Sequence, residues 1–268
     1  MKTRDLMTPH PSVVRTDDSF DQALRTMEGD DVRHLPVLEG RTLVGVLSDR
    51  DLLEATGWLT SHEREVVGAP EGVVRDLMHT PVISLPPNAP VERLIRELVE
   101  HRIGCVPIVD GEELVGIVTE IDVLVAFAQA VEDGRIGGEA DPPLATLMQT
   151  EVGTLGPEAS VDEALALFEQ HHWRHLPVVS DDRVVGIVSD RDIRRERGTG
   201  QLELSTLAEV MMPKPILGAP DETLSTAARL LATAKVSSLP IVRNDRLVGL
   251  VTMVDLVEAC GHALAALP

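Results

Sequence analysis

Aromatic side chains and cysteine are both scarce in this chain. Aromatics make up 2% of its 268 residues, with two Trp, three Phe and no Tyr, so a core has to be assembled from Val, Leu, Ile and Ala, as packed helices and strands allow. The two cysteines, Cys105 and Cys260, are too few for a disulfide framework, and their apolar surroundings predict buried free thiols. Positive charge is also in short supply: 24 Lys and Arg stand against 44 Asp and Glu, a formal charge of −20. Nucleic acid and anionic membrane surfaces are therefore disfavoured as partners, because both are bound through cationic side chains that displace counterions. No apolar run reaches the ~18 residues of a membrane span; the closest, Leu247 to Pro268, carries Asp255 and Glu258. Met1 to Asp5 lead into no signal-peptide apolar stretch, so a soluble cytoplasmic protein is expected.

What the chain does contain is one passage written four times. Leu6-Met7, Leu77-Met78, Leu147-Met148 and Val210-Met211 open it, and 29 residues beyond each Met stand Pro36, Pro107, Pro177 and Pro240. A step of 38 lands on Gly45, Gly116, Gly186 and Gly249, and a step of 44 on Asp51, Asp122, Asp192 and Asp255, without a gap. Self-similarity at a fixed period marks a repeat architecture. Between Met and Pro, apolar residues recur at helical spacing: Phe20, Ala23, Leu24, Met27; Val91, Leu94, Ile95, Leu98; Val161, Ala164, Leu165, Phe168; Leu224, Ala227, Ala228, Leu231. Each set predicts one buried helical stripe. Ser19 with Gln22 and Ser160 with Glu163 read as capping boxes at the helix start, where the other copies carry Pro90 and Thr223. A short apolar strand, a polar turn and a second strand follow, as in Leu35 to Leu38, Glu39-Gly40 and Leu43 to Leu47, with turn chemistry at Asp110-Gly111 and Asn244-Asp245. A second helix then begins after a Ser or Thr. The unit is strand, helix, strand, strand, helix, which sets the fold class as α/β, with helices and strands segregated as in α+β folds.

The first and third copies share His-Leu-Pro-Val and Ser-Asp-Arg-Asp, at His34–Val37 and Ser48–Asp51 and at His175–Val178 and Ser189–Asp192. The second and fourth have Thr119 and Thr252 without that Arg. A pair of unlike repeats has therefore been duplicated. A unit of ~50 residues buries too little of its surface to stand alone, so two should pack as one module. The expected repeats are 1–56, 73–131, 144–195 and 206–268, and the expected modules 1–131 and 144–268, divided by the acidic, Gly- and Pro-bearing stretch Glu132 to Pro143.

Chemistry is most readily placed at the strand-to-helix junction, which reads Gly, two aliphatics, Ser or Thr, two variable residues and Asp in every copy. One reading is a helix capping box, which needs no ligand. The acid is Asp each time, however, whereas the box favours the longer Glu or Gln. A short carboxylate at a helix start is well placed to accept hydrogen bonds from a ribose diol. The neighbouring hydroxyl can serve sugar or phosphate, the exposed amides can hold an anion, and Gly at the strand end leaves room for a flat base.

With these residues in place, the unit resembles a cystathionine-β-synthase (CBS) domain, and the chain resembles a stand-alone protein of two tandem CBS pairs, or Bateman modules. The resemblance covers nearly the whole chain outside the connectors. It implies repeats packed by their sheets about a pseudo-twofold axis, with clefts that take AMP, ADP, ATP, S-adenosylmethionine or NAD. It assigns the ribose to Asp51, Asp122, Asp192 and Asp255, assisted by Ser48, Thr119, Ser189 and Thr252. Arg33, His34 and Arg50, with Arg174, His175 and Arg191, form basic clusters in the first and third copies that suit a phosphate; a solvated surface for the arginines and a core place for His34 and His175 are the alternatives. The second and fourth copies offer Gly104-Cys105 and Ser237-Ser238 there, so their pockets should be less charged or borrow cations from the partner repeat.

Other signals carry less. His171 and His175 are four residues apart but straddle a helix end, which argues against a metal. His62 to Val66 lacks the second His of a zinc-protease helix, and Gly134 to Gly138 reads as linker. No nucleophile comes with an identifiable base. The expectation is a non-enzymatic sensor with no required cofactor, in which an adenine nucleotide acts as regulatory ligand and relays its occupancy to a regulated protein, in a homodimer or within one chain. A ligand-free oligomerisation or docking scaffold is the alternative.

Overall fold

The computed structural model describes residues 1–56, 72–197 and 206–267. The first repeat comprises β1 (Thr8–Pro9), β2 (Val14–Arg15), α1 (Phe20–Gly29), β3 (His34–Glu39), β4 (Thr42–Ser48) and α2 (Asp49–Thr56). The second comprises α3 (Val91–Glu100), β5 (Cys105–Asp110), β6 (Glu113–Thr119) and α4 (Glu120–Glu132). The third comprises α5 (Val161–His171), β7 (His175–Ser180), β8 (Arg183–Ser189) and α6 (Asp190–Arg197). The fourth comprises α7 (Leu207–Val210), β9 (Met212–Pro213), α8 (Leu224–Ala234), β10 (Ser238–Arg243), β11 (Arg246–Thr252) and α9 (Met253–Ala265).

Helices form on the predicted stripes. All four stripe residues of α3 and of α8 are buried, and in α1 and α5 only Leu24 and Leu165 stay partly open. Ser160 and Glu163 close their capping box, while Ser19 supplies one half of its own by accepting from the Gln22 amide at 3.1 Å. Each hairpin closes through two residues, and the turn residue dictates its type. Gly40 and Gly111 take φ of 63° at the first position, as a type II′ turn requires, whereas Asp181-Asp182 and Asn244-Asp245 hold both residues at positive φ, as in type I′. The strand expected at the start of each repeat shrinks to a short parallel contact: Val14↔Val37, Leu85↔Ile108, Leu155↔Val178 and Gly218↔Ile241.

Before that contact, each repeat lends its leading segment to its partner. Thr8 and Pro9 pair with Ile117 and Gly116 of the second repeat, and His79 pairs with Val46 of the first. Gln149 pairs with Leu250, and Met212 and Pro213 pair with Ile187 and Gly186. The turns ahead of these segments dock the same way, Thr3 N donating to Ala89 O and Val74 N to Asp18 O, with Leu144 N to Glu222 O and Leu207 N to Ala159 O in the second pair. This reciprocal exchange is the pseudo-twofold packing that the resemblance implied.

The two pairs then face each other within the chain, unevenly. Helices α3 and α4 pack on α8 and α9, so the second and fourth repeats share one apolar core that includes Phe127, Leu124, Leu231 and Leu256. The first and third repeats keep separate cores around Leu35 and Leu176 and meet through α2 and α6. The stretch between the pairs is tied down where Asp141 accepts from the Ser225 amide and hydroxyl at 2.7 and 2.8 Å. The free thiols of Cys105 and Cys260 are both buried, and burial pushes that of Cys105 up to about 12.

Candidate functional site

The four aspartates stand at the starts of α2, α4, α6 and α9, and in every copy the capping alternative is realised. The Ser48, Thr119, Ser189 and Thr252 amides donate to Oδ2 of Asp51, Asp122, Asp192 and Asp255 at 2.7, 2.7, 2.8 and 2.8 Å. Their hydroxyls donate to the same oxygen at 2.6, 2.7, 2.6 and 2.6 Å. Asp is thus long enough to close the box, and the hydroxyl expected to serve a sugar or phosphate is already engaged with the acid. One carboxylate oxygen is consumed by the fold. The other, Oδ1, decides what the site can do.

Oδ1 differs from copy to copy. At Asp51 it lies 2.9 Å from His79 Nε2, and at Asp255 it accepts from Gln149 Nε2 at 3.2 Å. At Asp122 and Asp192 it accepts no hydrogen bond from any described residue. Burial raises the Asp122 carboxyl against the opposing bonds from Thr119. His79 and Gln149 were not singled out in the sequence. Their signal was the position directly after the repeat's Met, but its meaning depends on the exchange of leading segments, which no single repeat reveals.

That exchange also revises the role of the strand-end glycines. A Cβ at Gly45, Gly116, Gly186 or Gly249 would stand 2.5, 2.7, 2.2 or 2.6 Å from the sulfur of Met78, Met7, Met211 or Met148. The space expected for a flat base at these positions is filled by the partner repeat's own methionine, so the two most regular features of the repeat are the two halves of one contact.

The basic residues gather where the pairs meet. Arg191 Nη2 donates to Asp49 Oδ1 at 3.0 Å, and Arg50 Nη2 lies 3.6 Å from Asp190 Oδ2, a reciprocal set between α2 and α6. Nε of Arg50 and of Arg191 is buried with no hydrogen-bond partner among the described residues. Arg33 donates to the Lys235 carbonyl at 2.8 Å, and Lys235 pairs with Asp31. Burial lowers the Arg33 and Arg174 guanidiniums, helped by Arg191 for the first and by Arg50 for the second. His34 and His175 begin β3 and β7 directly opposite Ser48 and Ser189. The His34 ring lies against Gly104 of the second repeat, where a Cβ would meet it at 2.6 Å, and His175 Nε2 is 2.8 Å from Ser237 Oγ of the fourth. Burial pushes both imidazoles down to about 4, so they are neutral near pH 7. Glu120, at the start of α4, is pushed up to about 7 by burial although Arg174, Arg50 and Arg33 oppose the shift.

The His171 ring stacks on Trp173 at 4.2 Å while His175 faces Ser237, so the two rings do not converge. Among the described residues no three His, Cys, Asp or Glu form a group that could hold a metal. His62 to Val66 lie outside the described residues. A cavity of about 300 Å³ lined by Thr150, Val152, Thr154 and Arg246 to Gly249 includes none of the four aspartates. No described helix is long and apolar enough to cross a membrane.

Known proteins share this organisation. The uncharacterized protein MJ1225 of Methanocaldococcus jannaschii is 25% identical, with 96% of each chain covered. Its crystal structure, described as that of a proposed archaeal homologue of γ-AMPK, superposes with a TM-score of 0.75 at 23% identity, covering 96% of this chain and 99% of that one. An uncharacterized conserved protein of Pyrococcus horikoshii superposes with a TM-score of 0.66 at 22% identity, covering 97% of this chain and 100% of that one. The CBS domain-containing protein YhcV of Bacillus subtilis is 35% identical over 44% of this chain and 89% of its own length. The sequence profile of the CBS domain matches residues 4–57, 74–129, 144–198 and 207–262. With that profile met four times over nearly the whole length and the fold shared end to end, the chain belongs to the CBS-domain family.

Proposed function

We propose that the protein is a non-enzymatic sensor of adenosine-containing ligands, AMP, ADP or ATP foremost, built from modules 1–131 and 144–268. The observation that carries this reading is the carboxylate at a helix start with one oxygen fixed by its capping box and, at Asp122 and Asp192, the other without a hydrogen-bond partner among the described residues. An acceptor held rigid and unspent is what a ribose hydroxyl needs. The guanidiniums of Arg33, Arg50, Arg174 and Arg191 supply positive charge near the same helix starts, and a phosphate would relieve their mutual repulsion. Ser48, Thr119, Ser189 and Thr252 then act by fixing the acid rather than by touching ligand. Occupancy alters a partner only if the ligand binds two arrangements of the repeats with different affinity, and the charged junction between α2 and α6 is the element able to rearrange.

The test is mass spectrometry of small molecules released from the purified protein, followed by thermal shift with AMP, ATP, S-adenosylmethionine and NAD. An adenosine compound in the eluate and a raised melting temperature are expected. A second reading, a ligand-free scaffold, is favoured by the capping boxes, which close without any ligand. It predicts no shift with any of the four compounds.

A further inference from the structure

The four aspartates share one register and not one environment. The residue after each repeat's Met is carried by the exchanged segment to the partner's strand: Thr8 to β6, His79 to β4, Gln149 to β11 and Met212 to β8. Three of these side chains can donate a hydrogen bond, and two of them donate to the partner's aspartate. His79 Nε2 is 2.9 Å from Asp51 Oδ1, and Gln149 Nε2 stands 3.2 and 3.5 Å from the two oxygens of Asp255. Met212 has no hydrogen to donate, and Thr8 makes no hydrogen bond to Asp122 among the described residues. The segment that carries Gln149 also contains Gly153, and a Cβ there would lie 2.1 Å from Cζ3 of Trp173, whose indole is itself stacked on His171. The room opened by a glycine is taken by the largest side chain in the repeat.

We propose that the clefts at Asp122 and Asp192 are the ones that take ligand, and that His79 and Gln149 are internal occupants of the clefts at Asp51 and Asp255. The inference rests on the reading of the clefts as adenosine sites and adds which of them are open. Oδ2 is consumed by the capping box in all four copies, so a ribose hydroxyl has only Oδ1 to bond. Where a side chain already holds Oδ1, the ligand must displace it. Giving up one hydrogen bond to a carboxylate weakens a site by about tenfold. One cleft per pair of repeats stays open, and the open ones belong to unlike repeats, the second and the third. Duplication alone would have opened equivalent copies. What separates Asp51 from its equivalent Asp192 is His79 in place of Met212.

The experiment is calorimetric titration of the full chain with AMP and, in parallel, S-adenosylmethionine, which share the adenosine. Wild type is expected to show two tight sites per chain and any others about tenfold weaker. Asp122→Ala and Asp192→Ala should each remove one tight site. His79→Ala and Gln149→Ala alter side chains at exposed positions, so the fold is retained, and each should convert one weak site into a tight one. Four equivalent sites in wild type overturn the inference and leave the nucleotide reading standing. So do His79→Ala and Gln149→Ala titrations that match wild type or bind more weakly. Absence of heat with both compounds, in wild type and in every variant, overturns the inference together with the nucleotide reading beneath it.

Discussion

The two buried histidines make the sharpest prediction about stability. His34 and His175 sit where paired repeats meet, and burial pushes both down to about 4 from an ordinary 6.5, with Arg33 and Arg191 adding to the shift at His34 and Arg174, Arg50 and Arg191 at His175. In the unfolded chain each takes up a proton as pH falls through 6.5, whereas in the folded chain neither does until about pH 4. The unfolded state therefore binds more protons in this window, and stability is lost as pH falls. From the two pKa values, each histidine costs about 2 kcal/mol at pH 5, and the pair about 4 kcal/mol, a large share of the ~5–15 kcal/mol that holds a typical domain. The perturbation is the double variant His34→Gln/His175→Gln, which keeps a polar side chain able to reach Ser237 and removes the titration. Urea unfolding at pH 7, 6 and 5 should show wild type losing stability steeply between pH 7 and 5, with the variant losing about 4 kcal/mol less over the same interval. An equal acid slope in the two proteins would refute the assignment of these rings as buried and neutral.

Glu120 works in the opposite sense: its folded value near 7 lies above the ordinary 4.5, so the folded chain holds the extra proton and stability falls as pH rises from 4.5 to 7. Glu120→Gln should therefore gain up to about 3 kcal/mol at pH 8 and little at pH 5, measured by urea unfolding at the two values; an unchanged midpoint at pH 8 would count against a buried carboxylate there. Arg191→Ala strips Asp49 of its 3.0 Å partner at a junction where the two side chains are 26% and 15% exposed. A loss of about 1–3 kcal/mol is expected, read by thermal melting, with part of it recovered in Arg191→Ala/Asp49→Asn; a double variant no better than the single one would show that the pair is not coupled.

The helices and hairpins were legible because their signals are local. A 3.6-residue apolar period and a two-residue turn act within one repeat, and Val91 to Leu98 or Asn244-Asp245 fold as their chemistry dictates whatever the partner does. What lay beyond the sequence was the identity of neighbours contributed from elsewhere. Met7 and Gly116 are separated by most of two repeats, and nothing in either residue announces that the sulfur of one fills the space above the other. The Asp-Arg pairs at Asp49-Arg50 and Asp190-Arg191 were visible as a shared feature of the first and third copies, but read copy by copy they suggested a surface or a phosphate, because their carboxylate partners come from the other pair of repeats. The junction motif was ambiguous for a different reason. A capping box and a ribose acceptor use the same carboxylate, and only its second oxygen, with or without His79 or Gln149 beside it, tells the uses apart.

The duplication of an unlike pair also explains why the junction between pairs is half apolar and half charged. The even repeats begin their second helix with Glu120-Ile121 and Met253-Val254 and continue it for 13 residues, which lets α4 and α9 merge with α3 and α8 into one core. The odd repeats begin theirs with Asp-Arg, and α2 and α6 meet through these charged side chains, which reach across from one helix start to the other. A densely packed apolar core resists sliding, because every displacement forfeits contacts, whereas a network of partly exposed ion pairs exchanges partners at small cost. On the proposed reading, Arg191 is adjacent to Asp192, so a ligand held by that aspartate acts one residue from the pair that joins α6 to α2. Motion between the two pairs of repeats should then pivot on the even side and open or close on the odd side, and an apolar replacement of the whole Asp49, Arg50, Asp190 and Arg191 set should leave the protein folded, able to bind adenosine, which has no phosphate to lose contacts, at Asp192, and unable to transmit that binding to Asp122.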